Sequence, residues 1–184
     1  MARGREAETL EVRKVLIRRG RPEDAGPLAS FAREIFDRTF GPMNDPADMR
    51  AYMDEAFGAA QQAKELADPL IATLMAEVDG ELAAYAQVSP RRAPPAPADP
   101  RPVELVRFYV GTGWQGQGVA QTLMSAVVEE AIRFGGGSLW LCVWGDNARA
   151  LTFYRKCGFG EIGTAPFQLG QDLQTDLVMA RALE

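Results

Sequence analysis

Apolar residues recur along this chain with two spacings, and the changes between them divide it into elements. Residues 14–19, KVLIRR, alternate weakly and read as a first strand. In RPEDAGPLASFAREIFDRTF, 21–40, Ala25, Leu28, Phe31, Ala32, Ile35 and Phe36 recur at helical spacing behind Pro22 and two acidic residues, which predicts an amphipathic helix. GPMNDP breaks that pattern. Asp45 and Pro46 then supply an N-cap and a first-turn proline for a second helix, ADMRAYMDEAF, which either ends there or continues through AQQAKEL. PLIATLMAEVDGELAAYAQVS, 69–89, contains two apolar strands joined by Asp79-Gly80, the pair favoured in a type I′ turn.

The stretch 89–102 is too rich in proline for regular structure and is expected to be a surface loop within one domain, because neither flank alone makes a complete core. Beyond it come a strand VELVRFYV, a glycine-rich loop, a helix, a strand SLWLCVW, a helix ARALTFYRKC and two closing strands, EIGTAPF and DLVMARAL. The order β-α-α-β-β-β-α-β-α-β-β predicts a mixed α/β fold. In SLWLCVW both parities are apolar, Leu139, Leu141 and Val143 against Trp140, Cys142 and Trp144, so this strand is expected to be central. Core packing accounts for Trp140, Cys142 and Trp144, with Trp144 the member best placed instead to wall a coenzyme or acceptor channel.

Composition narrows the classes. With 184 residues, 47% of them hydrophobic, the chain suits one domain, assigned here to 12–184 behind a polar, aperiodic tail at 1–11. A net charge of -5 lacks the footprint of a nucleic-acid binder and favours a cationic over an anionic acceptor. No apolar run approaches a membrane span or a signal-peptide core, so no membrane partner and a cytoplasmic location are expected. The absence of histidine excludes Ser-His-Asp and Cys-His catalysis and His-ligated zinc, and no metal is expected. Acid-base chemistry must come from carboxylates, Tyr, Cys, Lys or water. Cys142 and Cys157 lie in apolar segments and are read as small hydrophobes without a redox role.

The string Gly111 to Gly116, GTGWQG, has the form of a dinucleotide fingerprint but follows three earlier strands, and the next strand ends without the ribose-binding acid at the required distance. A Walker A loop is excluded as well, since Gly116 is followed by Gln117 and Gly118 rather than Lys-Ser/Thr. The helix that follows carries stripes Val119, Leu123, Val127, Ala131 and Ala120, Met124, Val128, Ile132, and it stops at Gly135 to Gly137. Its first turn is therefore GQGVA. The amides of Gln115 to Gln121 then form a helix N-terminus suited to a pyrophosphate, with Gly116 and Gly118 admitting the anion to the backbone. From the glycines alone, an ordinary glycine-rich turn is an equal reading.

Two segments together carry a family resemblance. QGQGVA, Gln115 to Ala120, matches the R/Q-x-x-G-x-G/A loop of the GCN5-related N-acetyltransferases (GNAT), and NARALTFYRKCGF, Asn147 to Phe159, resembles their N-x-x-A-x-x-F-Y-x-K-x-G-F segment. FDRTF, AYMDEAF, ELVRFYV, LWLCVWGDNARALTFYRKCGF and FQLGQDLQTDLVMARAL, spread over most of 31–183, are similar to the bacterial spermidine/spermine N-acetyltransferases of the PaiA type. The chain departs from them in its tail, its proline-rich loop and Ala120, where many members have Gly.

The resemblance implies a single GNAT-like α/β domain: a mixed, mostly antiparallel sheet of about seven strands with about four helices, splayed between the fourth and fifth strands. It implies acetyl-CoA as co-substrate, held by Gln115, Gly116, Gln117, Gly118, Val119, Ala120 and Gln121 and by Asn147, Ala150, Phe153 and Tyr154. Backbone amides of Phe108, Tyr109 and Val110 would meet the thioester and pantetheine arm, although the sequence alone is equally consistent with a fully paired strand there. Tyr154 is the candidate general acid, since a phenol is well matched to a departing thiolate. Glu104 is the candidate base, read as sharing strand parity with Val106, Phe108 and Val110. Asn147 is also expected to cap its helix.

The acceptor implied is a polyamine or similar small primary amine. Protein N-termini, amino acids or antibiotics are alternatives, as is a non-catalytic acyl-CoA-binding regulator, and a homodimer is the implied assembly. Asp37, Asp45, Asp48, Glu55 and Asp172 are acidic residues a polyamine groove would want, but none stands out among ordinary solvated carboxylates.

Overall fold

A computed structural model describes residues 14–94 and 101–184; the expected tail at 1–11 and the centre of the proline-rich stretch lie outside the described residues. The elements are β1 (Val15–Arg19), α1 (Ala25–Phe40), α2 (Pro46–Ala56), α3 (Ala59–Leu66), β2 (Ala72–Val78), β3 (Glu81–Ser89), β4 (Pro102–Val110), α4 (Val119–Arg133), β5 (Ser138–Trp144), α5 (Ala148–Lys156), β6 (Gly160–Leu169) and β7 (Asp172–Ala182). The strands form one sheet in the order β1-β2-β3-β4-β5-β7-β6. Every pairing is antiparallel except β4 with β5.

Local chemistry accounts for the boundaries. Asp45 caps α2 by accepting from the amides of Ala47 and Asp48, ahead of Pro46. The second helical segment is two helices, because Phe57 is wholly buried against Phe36 and Tyr109 and the extended Gly58 starts α3 afresh. Asp79 and Gly80 both have positive φ, 53° and 82°, as a type I′ turn requires.

The two sheet faces carry separate cores. On one, Val119, Leu123, Val127 and Ala131 of α4 pack with Leu151 and Tyr154 of α5 against Leu74, Ala84 and Leu141. The second stripe of α4 is only partly covered, and Ile132 is exposed. On the other face, Leu28, Ala32 and Phe36 of α1 and Met49 and Met53 of α2 pack on Tyr85 and Leu169.

One irregularity changes the reading of β4. Val88 stands opposite Leu105 and Gln87 opposite Arg107, so Val106 is an extra residue with no partner on β3. The bulge reverses side-chain parity. Glu104 therefore does not share a face with Phe108 and Val110; it lies with Arg107 and Tyr109 on the α1/α2 side, while Phe108 and Val110 face α4 and α5.

Candidate active site

The sheet opens between β4 and β5. The two strands pair only at Pro102–Ser138, Val103–Leu139 and Glu104–Trp140, so both are parted beyond Glu104. On its other edge β4 remains bonded to β3, where the Gly111 amide donates to the Ala83 carbonyl at 2.8 Å. Amides alternate along a strand, so Tyr109 bonds toward β3 while Phe108 and Val110 direct theirs into the opening. The Val110 carbonyl points the same way and accepts from the Gln115 side chain at 3.3 Å. Of the three predicted backbone residues, two present donors to the opening. Tyr109 contributes its ring to the opposite core.

At the outer end of this opening lies the glycine loop. Gly116 and Gly118 adopt φ of 78° and 83°, a conformation that excludes most side chains, and a Cβ at either would meet open space. Gly118 is the N-cap of α4, and the first helical bond there runs from the Thr122 amide to its carbonyl. The amides of Val119, Ala120 and Gln121 thus lack intrahelical partners. Val119 offers only its backbone, since its side chain is buried in the core. Arg149 from α5 hydrogen-bonds the Gln115 side chain and adds a cation beside this terminus. Donors, helix dipole and unfilled backbone suit a pyrophosphate, and the opening suits an extended pantetheine arm.

A cleft of about 900 Å³ joins these parts and passes through the sheet, lined by Gly116, Ala120, Phe108, Phe153 and Tyr154 on one side and by Glu104, Tyr52, Phe167 and Asp176 on the other. Gln115, Gln121, Asn147 and Ala150 also line it; Gln117, Gly118 and Val119 do not. The Asn147 side chain accepts from the Ala150 amide at 3.1 Å and caps α5 as expected. That cap sets the helix so that Phe153 stacks on Phe108 at 5.5 Å and Tyr154 packs edge-on between Phe108 and Phe159. Tyr154 is 8% exposed, and its hydroxyl has no hydrogen-bond partner among the described residues. Burial raises its pKa, so the phenol holds its proton throughout the ordinary pH range.

Glu104 occupies the apex of the opening on the opposite face. It is 7% exposed, one carboxylate oxygen has no hydrogen-bond partner, and Arg92 approaches the other at 3.9 Å. Burial raises its pKa, with Arg92 opposing. Beside it, Arg107 is held by Glu65, by the Gln87 side chain at 2.7 Å and by the Ala56 carbonyl at 3.1 Å, which ties β4 to α3. The aromatic wall here comes from Tyr52, stacked on Phe36 at 4.9 Å, and from Trp144, edge-on to Phe40 at 6.1 Å. Trp144 thus lines the channel as anticipated. Cys142, by contrast, is exposed in the cleft, because β4 no longer covers its strand there.

None of the five acidic residues considered for a polyamine groove lines the cleft. Asp45 is a helix cap, and Asp48 holds the Gln171 amide at 2.8 Å. The carboxylate that does line it, Asp176, is the first residue of the predicted strand DLVMARAL. Strand β7 begins four residues earlier, so Asp176 is in mid-strand between Trp144 and Ala165, where burial raises its pKa. The signal available was a single carboxylate at the parity of Val178, which β7 buries completely.

A mixed sheet parted between its fourth and fifth strands, with a glycine-bounded helix N-terminus at the mouth, is the architecture of the acyl-CoA-dependent N-acetyltransferases. This chain belongs to the acetyltransferase (GNAT) family, which matches residues 30–159. An uncharacterized N-acetyltransferase of Mycobacterium bovis is 36% identical over 160 residues, 87% of this chain and 98% of that protein. The streptothricin acetyltransferase of Streptomyces lavendulae is 30% identical over 120 residues, 65% of this chain and 60% of that protein. Among solved structures, the PaiA N-acetyltransferase of Thermoplasma acidophilum in complex with coenzyme A has the same fold, with TM-score 0.76 over 92% of this chain and 99% of that one at 20% identity.

Proposed function

We propose that this protein transfers acetyl from acetyl-CoA to a primary amine of a polyamine or similar small amine, by direct attack. The observation that carries the reading is that a phenol and a carboxylate, Tyr154 and Glu104, face one opening in the sheet from opposite sides, the carboxylate with one oxygen that has no hydrogen-bond partner. Acetyl-CoA supplies the activated thioester. The amides of Phe108 and Val110 donate toward its carbonyl oxygen, and a donor so placed lowers the barrier by roughly 3 kcal/mol. Glu104 takes the proton of the attacking nitrogen as the C–N bond forms, directly or through a water. As the C–S bond breaks, Tyr154 gives its proton to the sulfur. Its raised pKa suits that step, because the phenol is never lost to ionisation beforehand.

Thiol release from acetyl-CoA by purified protein, offered spermidine, spermine, a peptide amine pool, streptothricin or no acceptor, tests the reading. Saturable release with the polyamines is expected. Release only with streptothricin would favour an antibiotic amine, which the similarity to the Streptomyces enzyme supports. Coenzyme binding without release to any amine would refute transfer and favour a regulatory acyl-CoA module.

A further inference from the structure

The cleft holds a second carboxylate that proton transfer does not use. Asp176 is 9% exposed and lines the cleft, and no hydrogen bond or ion pair engages it among the described residues. It is also fixed in place: Asp48 holds the β6–β7 turn through the Gln171 amide, and Asn44 accepts from the Gln174 side chain at 2.6 Å. Its carboxylate faces the cleft, and a carboxylate so far withdrawn from solvent favours a cation that can reach it through that opening. Of the cations lining the cleft on this face, Arg107 is held by Glu65, and the exposed Arg92 approaches Glu104 at 3.9 Å rather than Asp176.

Register relates the two carboxylates. Glu104 stands opposite Trp140 and Asp176 opposite Trp144, on the α1/α2 face of the sheet. Their strand partners are four residues apart, about 13 Å along β5 at a rise of roughly 3.3 Å per residue. Cys142 lies between them and feels both negative charges. Trp144 and Phe167 line the same stretch, a surface suited to methylene groups and to cations over their rings.

We propose that Asp176 is a specificity-determining residue that binds a second, non-reacting ammonium group of the acceptor, so that a linear polyamine spans from Asp176 to its reacting nitrogen beside Glu104. This rests on the acetyl-transfer reading above. A single-charged amine satisfies only one of the two carboxylates and is a poor substrate; a chain with ammonium groups several methylenes apart satisfies both.

The test compares spermidine with n-hexylamine as acceptors for wild type, Asp176→Asn and Asp176→Glu, alongside calorimetric binding of spermidine and of coenzyme A. Asp176→Asn is expected to reduce the spermidine-over-hexylamine ratio of kcat/KM at least tenfold, through the spermidine KM rather than kcat. Asp176→Glu should restore most of the preference. Retained coenzyme A binding establishes that the variants fold; if Asp176→Asn fails to bind it, Asp176→Ser replaces it in the same comparison. An unchanged ratio, or equal loss for both amines, overturns the assignment. Should wild type acetylate neither amine, the polyamine-acceptor reading fails separately. The Asp176 site then stands if wild type binds spermidine and Asp176→Asn does not, and falls if wild type binds none.

Discussion

Replacing Tyr154 by phenylalanine removes one oxygen from α5 and leaves its packing intact. The ring keeps its edge-on contacts with Phe108 at 6.3 Å, Phe153 at 5.6 Å and Phe159 at 5.7 Å. The hydroxyl makes no hydrogen bond within the described residues, so no partner is orphaned by its loss. Stability should therefore change by no more than about 0.5 kcal/mol. Turnover should not be spared. Positioned general acids contribute roughly 10²–10⁴-fold, and a thiolate, already a good leaving group, places this one near the lower end. A fall in kcat of about 100-fold corresponds to about 2.7 kcal/mol of barrier. The assay is thiol release at saturating amine, with urea unfolding and coenzyme A calorimetry on the same preparations. Cys142 is exposed to a thiol reagent, but its pKa is pushed up to about 11, so protein thiol adds only a slow background. A kcat within threefold of wild type, with coenzyme binding unchanged, would refute the acid role. A parallel loss of stability and activity would show instead that the oxygen is structural.

Glu104 predicts a pH signature: burial lifts its pKa, so kcat/KM should rise with pH through a limb above the usual carboxylate range, and Glu104→Gln should flatten that limb and lower the plateau about 100-fold. The linkage has the opposite sign for stability, since a folded pKa above the unfolded one means the native state binds more protons in that window; stability falls as pH rises through it, and Glu104→Gln should lessen that fall in urea titrations at several pH values, leaving the share that Asp176 contributes. Glu65→Ala should cost roughly 3–5 kcal/mol in urea unfolding, because it leaves the buried Arg107 guanidinium with only the Gln87 oxygen, the Ala56 carbonyl and the Phe57 ring; a loss under 1 kcal/mol would mean that water reaches Arg107.

What could be read from the chain alone was whatever is encoded within one or two turns. The apolar stripe of α4, the Asp79-Gly80 turn, the Asp45 and Asn147 caps and the Gly116/Gly118 loop are all local, and each stands where its residues predicted. The opening between β4 and β5 came from the resemblance, since VELVRFYV and SLWLCVW as strings are ordinary central strands. Strand partners decided the rest. An unpaired Val106 reverses the parity of β4, so the face of Glu104 depends on a register with β3 that no period within β4 records. Cys142 is exposed for a similar reason: the apolar run around it marks a central strand, but the neighbour that would cover it has swung away. Asp176 is an ordinary carboxylate by composition and becomes a buried, unpartnered one only because β7 inserts between β5 and β6. Local sequence determined the Gly116/Gly118 loop at the start of α4 and the cap that aims Tyr154. The α1/α2 side of the cleft draws Tyr52, Glu104 and Asp176 from distant parts of the chain, and its charge exists only once the sheet has closed around it.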